Sequence, residues 1–459
     1  MELALVEALE SVIGKDQVVT VRERLLNYLS DETPAMLEPK AAEDVVLVKP
    51  ANANQVSAIL HLANQHRLPV FPRGGGTGLA GGAVPTQNGI ILSLERMNRI
   101  EVDNGNMMAI AEAGVTLGSL MGAVEGQGLS FPPHPGDENA HVGGLVATNA
   151  GGSRAVRHGV MRNQVRGIEL VLPTGQILNL GGKVHKNNVG YDLMQLIVGS
   201  EGTLGIVTKV TLQLYPKDGA TITLVVPFTD RSTAIAVVPR ILREAGTPLA
   251  IEFVPRIIME NTAKHLGSRW PVATGNYYLI IILAEPTRDQ VLSASMRISD
   301  TCQGSAAGDI FAAESPQDQE NILTIRSDIY TAYKSETLDI LDITVPIAEL
   351  ENAATAIEQN AAKSSFPVLI FGHAGDGNLH VHIMRNQAGQ ITQVEDLRNG
   401  IYQIATAAGG VITGEHGIGK IRRDKLKTVL DGKEIELMKG IKRLFDPNNI
   451  LNPDTKIPP

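Results

Sequence analysis

Three glycine-rich segments constrain this chain more than any other feature of it. The first is Arg73-Gly74-Gly75-Gly76-Thr77-Gly78-Leu79-Ala80-Gly81-Gly82. The second runs from His141 through Gly143-Gly144 and Thr148-Asn149 to Gly151-Gly152-Ser153. The third is Gly199-Ser200-Glu201-Gly202-Thr203-Leu204-Gly205-Ile206. Glycine accepts positive φ and carries no Cβ, so these runs are too dense for ordinary turns. Such a run can aim several backbone N–H groups inward as an anion-binding nest, and a pyrophosphate is its natural guest. No Gly-Lys-Ser/Thr follows the first segment, so it is not a Walker loop, and a Gly-x-Gly-x-x-Gly match inside a glycine run says little. Taken alone, the first segment also reads as a flexible surface loop. Three separated segments in one domain point instead to an extended ligand approached by backbone along its length. A dinucleotide fits that description better than a mononucleotide.

Composition narrows the class. Glycine supplies 46 of 459 residues, where about 7% is usual. Hydrophobic residues make up 43% and charged residues 19%, a globular balance, and the length suits two or three domains. The net charge of −9 argues against a nucleic-acid binder. The longest apolar runs, such as Tyr277 to Ala284, are strand-sized and fall short of the ~20 residues of a membrane helix. The start, MELALVEALESVIGKD, reads as an amphipathic helix rather than a signal peptide. A single cysteine, Cys302, excludes a disulfide within the chain and a cysteine-rich metal site. The expected location is cytoplasmic, with peripheral membrane association through an electron acceptor left open.

Along the chain, Val45–Lys49 reads as a strand, and Asn52 with Gln55 forms a capping signal ahead of Val56, Ile59, Leu60 and Ala63 at helical spacing. Strands are expected over Gly89–Leu94 and Met107–Ala113, a helix over Val115–Val124, and a hairpin of Ile168–Leu172 with Gln176–Leu180. Ile206 to Leu214 alternates with period two and ends at Pro216. Strands then alternate with helical stretches, including Ser232–Glu244, and glycine thins out. The expected class is α+β. The expected organisation is an N-terminal helical segment over 1–36, a cofactor domain over 37–216, a substrate and metal domain over 217–440, and a tail over 441–459 returning to the cofactor domain.

PRGGGTGLAGG, then GGLVATNAGG, then GYDLMQLIVGSEGTLGIVTKV resemble, in that order and spacing, the FAD domain of the vanillyl-alcohol-oxidase/p-cresol-methylhydroxylase superfamily. The resemblance implies a two-part FAD-binding domain plus a cap domain. It assigns the FAD pyrophosphate to the first loop, Arg73 through Gly78. Gly143, Gly144, Thr148, Asn149, Gly151 and Gly152 then lie along the pyrophosphate and flavin, and Glu201, Gly205 and Ile206 lie toward the adenine side. Pro135 and Asn452 complete the expected cofactor set. Members with covalent flavin carry a histidine in or near the first loop; this loop has none, so non-covalent FAD is expected.

A second constellation lies near the C-terminus. Four of the eleven histidines fall between His373 and His416, in GHAGDGNLHVH and GEHGIG. Two imidazoles and a carboxylate form a divalent-metal set with open positions. His380 and His382 share one strand face, so spacing alone nominates either, and hydrogen-bonded structural histidines are the bland alternative. These motifs resemble the D-2-hydroxyacid dehydrogenase branch, which contains D-lactate, glycolate and D-2-hydroxyglutarate dehydrogenases. The resemblance makes His373, His380 and Glu415 ligands of a divalent metal, commonly zinc, with manganese and iron as alternatives. It makes His416 the catalytic base.

By the same resemblance Arg326 contacts the substrate carboxylate, with Tyr330, Asn378 and His382 nearby. The glutarate enzymes place threonine, lysine and asparagine where this chain has Tyr330, Ile340 and His382. Losing that lysine removes the partner a second buried carboxylate needs. The expected reaction is oxidation of a D-2-hydroxy monocarboxylate, D-lactate first, to the 2-oxo acid. D-2-hydroxyglutarate, D-malate and a glycolate oxidase subunit are the alternatives. Expected partners are an electron-transfer flavoprotein, a quinone or a cytochrome, and a homodimer is compatible. From other classes, a non-haem metal oxygenase would be colourless even with added FAD, and a non-catalytic flavin sensor would not be bleached by any 2-hydroxy acid.

Overall fold

The structure is a computed structural model that describes residues 2–386 and 391–458. Contacts divide the chain into two compact units. The first comprises Met1–Ala150, Val160–Pro216 and Glu415–Pro459; the second comprises Gly151–Gly159 and Lys217–Gly414.

In the first unit, the fully buried strand Val45–Val48 pairs in parallel with Gly89–Ser93, which also takes Val70–Arg73 in parallel. Helix Ala53–His66 makes the crossover between Val45–Val48 and Val70–Arg73. Its start follows from the sequence: the Gln55 N–H donates to Asn52 Oδ1 at 3.0 Å, and the Ala51 N–H donates to Gln55 Oε1 at 2.7 Å. Val56, Ile59, Leu60 and Ala63 form its buried face, as their spacing requires. A second, antiparallel sheet has the order Ile100–Asp103, Met108–Glu112, Ile206–Gln213, Val165–Val171, Ile177–Gly181. Each sheet carries its own apolar core. The returning C-terminal segment ties onto the parallel sheet, where the Val70 N–H donates to Ile450 O and the Asn452 N–H to Val70 O.

The second unit is built on one seven-stranded antiparallel sheet. Its order is Phe311–Ala313, Ala220–Phe228, Tyr277–Glu285, Ala250–Pro255, Val368–His373, Asn378–Met384, Thr337–Thr344. The single helix expected over 232–244 is interrupted. It breaks into Arg231–Ala236, Val238–Arg240 and a π-turn, Ile241–Ala245, because Pro239 has no N–H to donate and its ring crowds the preceding turn.

The unit boundaries differ from the expected domain limits at both junctions. Residues 415–440 group with the first unit, where the Ile418 and Gly419 N–H groups donate to Glu201 at 3.0 and 2.6 Å. Gly151–Gly159 groups with the second, where the Arg157 guanidinium donates to Thr247 O and Ala284 O. Among the described residues no helix is long and apolar enough to cross a membrane.

Candidate functional site

The first glycine segment leaves the strand Val70–Arg73. Gly76 has φ +74°, and a Cβ there would lie 2.2 Å from Arg73 Nη2. The missing Cβ lets the buried Arg73 fold beneath the loop and donate to Asn27 O at 2.8 Å and Ser30 O at 2.7 Å. Arg73, expected among the cofactor contacts, therefore braces the loop against the N-terminal segment. A Cβ on Gly74 would sit 3.7 Å from Gly144 Cα, so the first two segments are neighbours. Gly143 is required by the fold, because a Cβ there would meet Ala113 Cβ at 2.6 Å. Gly144 and Gly78 are different: a Cβ at either meets nothing within 4 Å. Protein packing does not require glycine at these two positions, and the space beside them is open.

The third segment packs on the second. The Glu201 N–H donates to Ala147 O at 2.7 Å and the Gly199 N–H to Val146 O at 3.0 Å. A Cβ on Gly205 would collide with Leu170, and Ile206 opens the central strand. Thr148 turns its hydroxyl back to Gly144 O at 3.1 Å, and Asn149, at φ 56°, accepts from the Arg162 N–H. Pro135 lies half-buried in the loop ahead of helix Val142–Thr148. Gly151 and Gly152 fall in the second unit. His141 lies against this region too, since a Cβ on Gly74 would be 3.3 Å from His141 Cβ. A histidine absent from the first loop in sequence is thus beside it in space. Its buried Nδ1 has no hydrogen-bond partner among the described residues, and burial lowers its pKa.

Glu201 and Asn452 also take internal roles. The Glu201 carboxylate accepts from Ile418, Gly419 and Lys456. Asn452 Nδ2 donates to Glu201 O at 2.8 Å and Gly82 O at 3.1 Å, while its Oδ1 accepts from Lys420. Their side chains hold the return segment together. Lys420 donates to Gly82 O, Asn452 and Thr455, and burial pulls its pKa down to about 8.

In the second unit, four adjacent strands bring a polar cluster into an apolar sheet. Register places Glu252 opposite His373, His373 opposite Asn378, and His380 opposite Asp342. His373, His380, Glu252 and Asp342 are all buried. His373 Nε2 lies 3.3 Å from His380 Nε2. Two nitrogens on one tetrahedral ion, each about 2.0–2.1 Å from it, stand about 3.3 Å apart, so this pair has the spacing of two ligands. His373 Nδ1 is 2.6 Å from Glu252 Oε1, and His380 Nδ1 is 3.9 Å from Asp342 Oδ1. Burial alone would raise the Glu252 carboxyl; the charges of His373 and then Arg326 outweigh it and hold the pKa below the ordinary value.

Arg326, on helix Pro316–Ser327, pairs with Glu252 at 2.6 Å and lies over the Phe371 ring. Its Nη2 makes that ion pair, while its buried Nε has no hydrogen-bond partner among the described residues. A guanidinium has five N–H donors in a fixed fork, so one carboxylate on Nη2 leaves others for a second carboxylate. His382 is buried against Phe371, with centroids 4.9 Å apart, and meets Tyr330 edge-on at 6.1 Å. Ile340 pairs directly with His382 across the sheet. His382 is thus drawn into an aromatic wall, while His380 pairs with His373. Asn378 donates its amide to Asp342, Ile343 O and Thr344, and its buried Oδ1 has no hydrogen-bond partner among the described residues.

Glu415 and His416 follow Gly414 directly, at the start of the first unit's return segment. They are half-buried, with Glu415 Oε1 3.9 Å from His416 Nε2. Ahead of them, Asp342 Oδ2 accepts from the Thr413 hydroxyl and the Gly414 N–H, both at 2.9 Å. Behind them, Glu201 holds Ile418 and Gly419. Sequence reasoning missed Glu252 and Asp342. The available signal was carboxylates inside two largely apolar strands, Glu252 in AIEFVP and Asp339 with Asp342 in TLDILDIT.

Two family models match the chain: an FAD binding domain over residues 45–181 and the C-terminal domain of FAD linked oxidases over 217–455. The D-lactate dehydrogenase of Archaeoglobus fulgidus is 43% identical over 93% of this chain and 94% of its own. The glycolate oxidase subunit GlcD of Bacillus subtilis is 35% identical over 97% of this chain and 95% of its own. Among solved structures, p-cresol methylhydroxylase with substrate bound superposes with TM-score 0.79 over 99% of this chain and 96% of that one, at 19% identity. That last likeness concerns the fold.

Proposed function

This chain belongs to the FAD-linked oxidases, and from that premise we propose that it oxidises a D-2-hydroxy acid, D-lactate first, to the 2-oxo acid. The observation that carries the reading is the buried His373–His380 pair at ligand spacing beside Arg326, whose buried Nε has no hydrogen-bond partner among the described residues. One feature could bind a metal and the other a carboxylate, as a 2-hydroxy acid requires. Relatives named for oxidation of such acids match over nearly the whole chain.

FAD, when bound, accepts the hydride from C2. The open faces at Gly78 and Gly144 fit a cofactor lying against backbone, and the binding is taken as non-covalent. His373, His380 and Glu415 hold a divalent ion, zinc before manganese or iron. Such an ion supplies Lewis acidity that lowers the hydroxyl pKa. Arg326 fixes the carboxylate, and His416 takes the hydroxyl proton. Tyr330, Phe371 and His382 face the substrate side chain with Ile340 where a cation would be needed for a second carboxylate, which favours a monocarboxylate. The partner that would reoxidise the cofactor is a flavoprotein, quinone or cytochrome.

The test is anaerobic flavin bleaching across D- and L-2-hydroxy mono- and dicarboxylates. Bleaching by D-lactate and not L-lactate is expected. Faster bleaching by D-2-hydroxyglutarate would overturn the substrate, and none by any acid would overturn the reaction. Acid precipitation that leaves flavin in the pellet would overturn non-covalent binding.

A further inference from the structure

Glu252 is the only acidic residue on the strand Ala250–Pro255 and is 1% exposed, between Ile251 and Phe253 of an apolar sheet. Burying a carboxylate there is costly unless both oxygens find partners. They do: Oε1 lies 2.6 Å from His373 Nδ1, and Oε2 lies 2.6 Å from Arg326 Nη2. We propose that Glu252 is a positioning residue that serves both halves of the site, holding His373 in the Nδ1–H form with its Nε2 lone pair turned toward His380, where a metal would bind, and setting the Arg326 guanidinium from the same carboxylate.

The chemistry of imidazole carries the first half. A neutral ring has one N–H, and an ionised carboxylate can only accept. At 2.6 Å from Nδ1, Glu252 therefore assigns the proton to Nδ1 and the lone pair to Nε2. That lone pair faces His380 Nε2 at 3.3 Å. With the opposite tautomer an N–H would fill the space and no ion could bind between the two rings. A carboxylate behind a ligating histidine also makes the ring a better donor. The second half follows from the shared carboxylate. Oε2 anchors one end of the guanidinium, so the orientation of Arg326 and that of His373 depend on one side chain. Glutamine could not replace it: its single carbonyl oxygen can take only one of the two oxygen positions, and its amide N–H₂ would face the donor at the other.

This inference rests on the metal and carboxylate roles proposed above, and its test separates the two. In the FAD-loaded protein, ¹⁵N-histidine NMR of metal-stripped wild type at a fixed alkaline pH reads the His373 tautomer, with His373→Asn giving the assignment. Zinc and cobalt affinities are then compared between wild type and Glu252→Gln. The expected results are an Nδ1–H tautomer, a metal affinity about 10- to 100-fold weaker in the variant, and recovery of flavin reduction at saturating metal, which a merely misfolded variant would not show. An Nε2–H tautomer in wild type, or unchanged metal affinity in the variant, overturns the role of Glu252. Should Glu252→Gln not fold, the wild-type tautomer decides. A wild type that binds no metal removes the metal reading, and the tautomer still decides the role of Glu252.

Discussion

Replacing Glu201 by glutamine should damage catalysis from a distance, and the structure sets the size of the effect. The carboxylate is 8% exposed and accepts from the Ile418 N–H at 3.0 Å, the Gly419 N–H at 2.6 Å and Lys456 Nζ at 3.1 Å. The amide keeps one acceptor oxygen, so it can satisfy Ile418 or Gly419 but not both. Losing one hydrogen bond to a charged group costs about 1.5–3 kcal/mol. The Lys456 pair, partly exposed, adds about 0–1 kcal/mol. A loss of about 2–4 kcal/mol lowers the melting temperature of a unit of this size by about 2 °C per kcal/mol, or about 4–8 °C. His416 lies three residues before Gly419, on the strand of chain this clasp immobilises. Displacing a reacting group by about 1 Å can cost about 100-fold, so anaerobic flavin reduction should slow by at least tenfold while bound FAD keeps its colour. Calorimetry of the FAD-loaded protein and stopped-flow bleaching with D-lactate read the two effects. Lys456→Met is the control and should cost about 1 kcal/mol or less. A Glu201→Gln protein that melts and reduces like wild type would refute the clasp.

Three further outcomes are expected. Gly144→Ala should stabilise the FAD-free protein by about 0.5–1 kcal/mol, since its Cβ meets nothing and alanine favours the helix, yet weaken FAD binding; unchanged FAD affinity in a flavin titration would remove Gly144 from the cofactor site. Burial lowers the Lys420 pKa from 10.5 to about 8 against Asp31, Glu201 and Asp454, which raise it. Between those values the unfolded chain binds the extra proton, so wild type should gain stability relative to Lys420→Met as pH rises through this window and show no such gain below it; parallel melting curves for the two proteins would contradict this. Cys302 is fully buried with its thiol pushed up to about 12, so a thiol reagent should label it only after denaturation; rapid labelling of the folded protein would place it elsewhere.

The parts of this fold that were legible in the sequence are those where local chemistry and tertiary structure ask for the same thing. The Asn52–Gln55 cap, the apolar stripe behind it and the hairpin around Gly175 are decided within a few residues. So are the glycine segments, because no other residue tolerates Gly76 over the Arg73 guanidinium. What the sequence could not convey is where the polar side chains of those segments spend their hydrogen bonds. Arg73 and Glu201, among glycines, and Asn452, in the return segment, read as cofactor contacts, and each satisfies backbone groups brought from distant segments: Ser30 for Arg73, Gly419 for Glu201, Gly82 for Asn452. A buried carboxylate such as Asp342 is hidden for the same reason, since Asn378, Thr413 and Gly414 meet it only through strand register and chain return. This locates the division of labour in the molecule. In the proposed site glycine backbone faces the cofactor, and the charged side chains beside it fix the segments on which Glu415 and His416 depend. A substitution that spares every group proposed to touch substrate can therefore abolish the reaction, and Asp342 and Glu201, which hold the residues just before and just after Glu415 and His416, are where that should be most severe.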